Sequence, residues 1–393
     1  MADSDLVPFR VTFDAAAIDD LRARLGNTRW PERETVDDWS QGMPLAFVQD
    51  LATYWRDEYD FTAAQERMNA WPQFTTRIDD LDIHFVHARS PEPNAMPLVI
   101  THGWPGTVVE FLDVLGPLTD PVAYGGDAAD AFHVVCPSLP GYGFSDKPST
   151  RGRGIPWIAQ AWATLMSRLG YERFGAQGGD WGSAITTTVG ELHRDRVLGI
   201  HVNMPTVPLG PITDDATEQE RRNFDDFAWH AQWGTGYQHQ QSTRPQTLGY
   251  GLADSPVGQL AWIVEKFWAW TDCDGDPLSI FTREQLLDNV TVYWFTGSGA
   301  SSARLYWESA GPAPPLDGPV HAAAMAALIG PVTVPTGCSV FPREIRRPSR
   351  RWAEQRFTNI HWWNEPAKGG HFAAFEQPEL FVYEVRASFR SLR

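Results

Sequence analysis

The sequence predicts an α/β fold: a mostly parallel sheet with helices on both faces, broken by a helical insertion and preceded by a helical arm. Three observations carry this. Leu98-Val99-Ile100-Thr101 and Phe132-His133-Val134-Val135-Cys136 are short apolar runs, as expected of strands buried on both faces. Ile158, Ala161, Trp162, Leu165 and Leu169 trace a helical stripe that Gly170 is placed to end. Past Val207 the strand pattern lapses into helical, aromatic-rich sequence, and strand-like runs return only near Val332.

In chain order, residues 1–95 form the arm. Ile18, Leu21, Ala23 and Leu25 fit one helical face, and Phe47, Leu51, Tyr54, Trp55 and Tyr59 continue at three- and four-residue steps. Phe74–Ile78 and Ile83–His87 then read as strands joined by an Asp79-Asp80 turn. Residues 96–206 hold the first part of the sheet domain, including a short strand over Tyr171–Gln177 and a helix from Ser183 to about His193. Residues 207–318 form a helical lid, and 319–393 return to the sheet with strands at Val332-Thr333-Val334 and Phe357–Trp363.

With 393 residues, 42% of them hydrophobic, the chain can bury a full core. A formal charge of -17 argues against a nucleic-acid partner. Three widely spaced cysteines suit neither a disulfide framework nor a zinc knuckle. The acidic start, Met1-Ala2-Asp3-Ser4-Asp5, lacks a secretion pattern, and no apolar run approaches the ~20 residues of a membrane span. The expectation is a soluble, cytoplasmic protein. Many of its 18 tryptophans fall between Trp229 and Trp307, which suggests a wide aromatic-lined pocket.

The chemistry centres on Gly178-Gly179-Asp180-Trp181-Gly182, between a predicted strand and a predicted helix. Small neighbours permit a sharp turn that exposes its central residue in a cleft. A carboxylate at that point is a nucleophile suited to saturated carbon. His102-Gly103-Trp104-Pro105-Gly106 follows the first buried strand, and the backbone N–H groups of Trp104 and Trp181 can form an oxyanion hole. His371, after Gly369-Gly370 and late in the chain, is the candidate base. Glu344 falls at a strand's exit loop and is the candidate to orient it, with Glu365 and Glu376 as competitors. Tyr237, Tyr250, Tyr293 and Tyr306 lie in the lid, where a phenol could donate to a developing alkoxide; residue-level reasoning does not choose among them.

These segments resemble the epoxide hydrolase family of the α/β-hydrolase superfamily, in particular its microsomal-type branch. His102–Gly106, Ser138–Ser145, Gly178–Gly182 and Gly369–Glu376 match four of its motifs, and the arm resembles the module that branch carries ahead of its core. The resemblance implies Asp180 as nucleophile, His371 as base and Glu344 as orienting acid. It further implies Tyr237 and Tyr306 as the tyrosines that bind the oxirane oxygen. The implied reaction turns an epoxide and water into a vicinal diol through an aspartyl ester, with no metal or organic cofactor. The animal members' membrane anchor is missing, which points to a soluble bacterial enzyme. The aromatic lid suggests a bulky or aryl epoxide, met in biosynthesis or detoxification, and the arm leaves a homodimer open. A haloalkane dehalogenase would share the aspartate and could use Trp181 as a halide donor, but Trp104-Pro105 and the tyrosine placement fit it less well. A non-catalytic receptor on this scaffold would not require a full set of nucleophile, base and acid.

Overall fold

The computed structural model describes residues 6–312 and 330–393. Its described residues build a nine-stranded sheet in the order β1-β2-β3-β5-β4-β6-β7-β8-β9. The strands are β1 Val7–Phe9, β2 Gln73–Ile78, β3 Leu81–Ala88, β4 Met96–Thr101, β5 Phe132–Pro137, β6 Phe174–Gly178, β7 Val197–Val202, β8 Thr336–Ser339 and β9 Ile360–Asn364. The first pairings, through β3 with β5, are antiparallel; from β5 onward neighbours run parallel. β4 shows why its run is apolar on both sides. Val99 packs in one core cluster with Trp162 and Ile185, while Leu98 and Ile100 pack in the other with Val114 and Phe381.

The chain leaves β4 towards β5 on one side and leaves β6 towards β7 on the other. Loops after β4 and β6 therefore part at adjacent strand ends, which opens a crevice at the C-terminal edge of the sheet. His102–Gly106 and Asp180 occupy those two loops.

Helices α1 Ala15–Gly26, α2 Leu45–Asp57 and α3 Phe61–Met68 form most of the arm. Helices α4 Leu112–Thr119, α5 Ile155–Arg168 and α6 Trp181–Leu192 follow within the sheet domain. Between β7 and β8 come α7 Glu218–Trp229, α8 Gly236–Thr243, α9 Pro245–Asp254, α10 Pro256–Ala269, α11 Arg283–Thr296 and α12 Ser298–Ala310. The expected end of the insertion at 318, and the start of the second sheet segment at 319, lie outside the described residues. Helix α13, Pro378–Phe389, closes the chain over the sheet.

The arm grips the insertion. Trp55 Nε1 donates to Thr291 Oγ1 (3.0 Å), Tyr59 OH to Asp288 Oδ1 (2.5 Å), and Arg67 pairs with the same carboxylate at 2.7 Å. Arg283 pairs with Asp50 at 2.6 Å, and Trp39 stacks on Trp268 with centroids 5.0 Å apart. On its other face α11 holds the loop after β4: Asn289 Nδ2 donates to Pro105 O (2.8 Å) and Tyr293 OH to Gly106 O (3.2 Å).

Four expectations need correction. Val332-Thr333-Val334 is not a strand, only a single bridge from Val332 to Phe357. Pro331 and Pro335 bracket it, and the Glu191 carboxylate takes the N–H groups of Thr333 (2.6 Å) and Val334 (3.3 Å) that a ladder would need. The strand lies later, at Thr336–Ser339, and its partner begins at Ile360 instead of Phe357. Ala23 is exposed on α1. The tryptophan cluster does not line one pocket: Trp229 and Trp233 are 62% and 67% exposed, Trp294 lies under Arg24, Trp307 under Arg151, and Trp262 bonds Gln241. Among the lid tryptophans, Trp270 meets the His371 ring.

Candidate active site

Asp180 sits between β6 and α6 with φ 51 and ψ -128, a conformation a side chain adopts only under strain. The neighbours make it feasible. A Cβ on Gly178 would lie 2.2 Å from Gly182 O, and one on Gly182 would lie 2.0 Å from Thr101 O. Glycine at both positions lets the turn close onto β4. The Trp104 N–H then donates to Asp180 Oδ1 at 2.8 Å. Trp181 is the first residue of α6, so its N–H has no intrahelical acceptor. His102 has a structural task at the edge of the crevice. Its Nδ1–H donates to Gly103 O (2.9 Å) and its Nε2 accepts from Leu139 N (3.1 Å), and burial lowers it to about 4, so a neutral imidazole ties two loops together.

His371 comes in from the loop after β9. Its N–H donates to Trp270 O (2.9 Å), and a Cβ on Gly370 would lie 2.5 Å from that same oxygen, which explains the glycine before the histidine. A parallel bridge between Arg343 and Gly370 joins this loop to the exit of β8 and so brings Glu344 alongside. His371 Nδ1 donates to Glu344 Oε1 at 2.7 Å, and Nε2 stands 3.3 Å from Asp180 Oδ2. Burial lowers the affinity of His371 for a proton, but Glu344 and Asp180 together more than reverse this and hold it well above 6.5.

The competing carboxylates have other work. Glu376 accepts from Asp272 N (3.0 Å) and Phe372 N (2.9 Å), while Glu365 is exposed and accepts from Trp363 Nε1 (3.1 Å). The four lid tyrosines also separate. Tyr250 is 71% exposed, and Tyr293 bonds Gly106 O. Tyr237 and Tyr306 are buried against Trp104, Tyr237 stacked at 4.9 Å and 7° and Tyr306 edge-on at 5.9 Å and 89°. Burial, reinforced by the charge of Asp180, lifts both phenols above their ordinary value, so they stay donors.

Two residues escaped the sequence reading. Lys266 is buried, with Nζ 4.5 Å from the centroid of the Tyr237 ring, a cation on the face of a phenol. Glu110 lies beside Asp180 and His371, and burial pushes it up to about 8. The available signal was the same for both: charges inside an otherwise apolar run, Glu110 with Asp113 in Val108–Leu115 and Lys266 with Glu265 in Leu260–Trp270.

The fold is that of the α/β-hydrolases, with a carboxylate at the strained turn between β6 and α6. Comparison with known proteins narrows the class. Residues 6–111 match the family model for the epoxide hydrolase N terminus, and residues 96–251 match that for the alpha/beta hydrolase fold. A Stigmatella aurantiaca protein named "Putative epoxide hydrolase" is 52% identical over 99% of this chain and 86% of its own. "Epoxide hydrolase 1" of Sus scrofa is 35% identical over 98% of this chain and 88% of its own. The crystal structure of juvenile hormone epoxide hydrolase from the silkworm Bombyx mori superposes with a TM-score of 0.88 at 29% identity, covering 99% of this chain and 95% of that one. The chain belongs to the epoxide hydrolase family, and its reaction is the hydrolysis of an epoxide by water. No described helix is long and apolar enough to cross a membrane.

Proposed function

We propose that the reaction runs through an ester on Asp180 and that the substrate is a bulky or aryl-substituted epoxide. The observation that carries this is the line Glu344–His371–Asp180, a hydrogen bond followed by a 3.3 Å charge pair, with two protonated phenols packed on the residue whose N–H holds the nucleophile. Asp180 attacks one oxirane carbon while Tyr237 and Tyr306 hydrogen-bond the ring oxygen. The alkoxide formed takes up a proton, and the imidazolium at His371 is its source.

The raised affinity of His371 for a proton then has a function. A protonated imidazole cannot act as a base. Esterification removes the negative charge of Asp180, one of the two groups that hold the proton, so His371 becomes neutral when a base is needed. It next takes a proton from water, whose oxygen adds to Cγ of Asp180. The N–H groups of Trp104 and Trp181 face the oxyanion. The diol leaves, and the carboxylate and imidazolium are restored. Aromatic rings at Trp104, Trp270, Tyr237 and Tyr306 surround the reacting atoms and favour an aryl substituent.

The test uses the His371→Gln variant with styrene oxide. Its intact mass should rise by one whole epoxide, located on the peptide bearing Asp180. An unmodified mass at saturating epoxide overturns the mechanism.

A further inference from the structure

Glu110 belongs to the short turn Val108–Phe111 after the β4 loop, and its side chain folds back over Gly106. A Cβ at position 106 would lie 1.3 Å from Glu110 Oε1, so the carboxyl fills the space a side chain there would take. It is 8% exposed, and no described residue hydrogen-bonds its oxygens. It lines a small cavity with Gly103, Asp180, His371, Gln177 and Asn203. About 20 Å³ of that cavity is open to the centre of a water-sized sphere, which is room for roughly one water. Two further lining residues carry buried polar atoms with room for a partner: Gln177 Oε1, and His371 Nε2, whose 3.3 Å approach to Asp180 Oδ2 is an ion pair without hydrogen-bond geometry. A buried water needs two to four polar partners. Glu110, Gln177 and His371 supply three around one cavity beside the nucleophile.

We propose that this cavity holds the water consumed in the second half-reaction and that Glu110, as a neutral acid, is the group that binds and aims it. The proposal rests on the ester reading. The water donates one hydrogen to His371 Nε2 and the other to the carbonyl oxygen of Glu110, which leaves a lone pair directed at Cγ of Asp180. His371 takes the first proton as the new C–O bond forms. The tetrahedral carbon then expels the diol oxygen, which takes the remaining proton of the added water, leaving the Asp180 carboxylate and protonated His371. Neutrality at Glu110 matters because an anion there would be a further negative charge beside His371, opposing its conversion to a base. Burial supplies that neutrality: it raises the carboxyl to about 8 against the opposing pull of His371. A glutamine side chain keeps the carbonyl acceptor and the zero charge, and alanine keeps neither acceptor nor volume.

Glu110→Gln, Glu110→Ala and Glu110→Met proteins are mixed with excess styrene oxide, quenched at intervals and weighed intact. In Glu110→Ala and Glu110→Met the ester should form within roughly threefold of the parent rate but decay about 30-fold or more slowly, so that it accumulates. Glu110→Gln should decay within roughly fivefold of the parent. Parental decay in both Ala and Met variants, or a Gln variant as slow as Ala, overturns the role of Glu110. The Met variant fills the vacated volume, so it tests the role should the Ala variant fail to fold. Absence of any adduct in His371→Gln would instead strike the ester mechanism beneath it.

Discussion

His371 lies between two carboxylates, and the proton it holds is therefore coupled to the state of Asp180. Replacing Asp180 by Asn removes one charge without removing bulk. The imidazole titration followed by NMR should move to lower pH in that variant, and an unmoved titration would argue that Asp180 does not set it. The phenols give a second outcome. Tyr237→Phe or Tyr306→Phe should slow ester formation by about 10- to 100-fold while leaving its hydrolysis near the parent rate, as read by single-turnover mass measurements. Glu110 gives a third, in stability. Its folded value of about 8 lies above the reference 4.5, so between those pH values the folded state binds more protons than the unfolded one. Stability contributed by this group is full below about 4.5 and declines as pH rises towards 8; thermal melts of Glu110→Gln should show a weaker decline over that window. That Asp180 and His371 would meet was legible from the glycines that flank each; Glu344 was reached through a strand expected four residues too early, since its true strand, Thr336–Ser339, shows no apolar pattern. Glu110 and Lys266 were not legible, because a single sequence does not distinguish a charge buried on purpose from one reaching solvent.

At the level of elements, apolar runs announced β4 and β5, and periodicity announced α5. The strand Thr336–Ser339 stayed hidden because its residues, Thr-Gly-Cys-Ser, carry little apolar character. Gly337 is needed there, since a Cβ would lie 2.0 Å from Ser388 Oγ of α13. β1 was missed as well; it is an exposed edge strand of three residues, too short for alternation to show. The arm–α11 contact carries its own prediction. Asp288 is buried and receives both Tyr59 and Arg67. Asp288→Ala leaves those donors unpaired and should lower stability by about 2–3 kcal/mol in urea unfolding, less than a fully buried pair because Arg67 is half-exposed. A loss near zero would show that this carboxylate does not fasten the arm.

Across the molecule, the layout of arm, sheet, insertion and returning sheet could be read from where the period of apolar residues changed. What pattern could not supply was which surfaces meet. Tyr237 and Trp104 are 133 positions apart in the chain, and their stacking depends on α8 being held over the β4 loop. The arm's hold on the insertion was equally invisible, because polar pairs such as Trp55 with Thr291 leave no periodic trace.

That hold limits how molecules come and go. With α11 pinned by the arm on one side and by Pro105 and Gly106 on the other, the roof cannot swing like a door without breaking many polar contacts at once. Entry through a standing gap would leave those contacts intact. A cleft bounded by Trp229, His230, Trp268 and Ile345 reaches Glu344, and Trp39 of the arm stacks on its Trp268 wall. An epoxide entering by such a cleft would be screened for girth by its rings before any chemistry began.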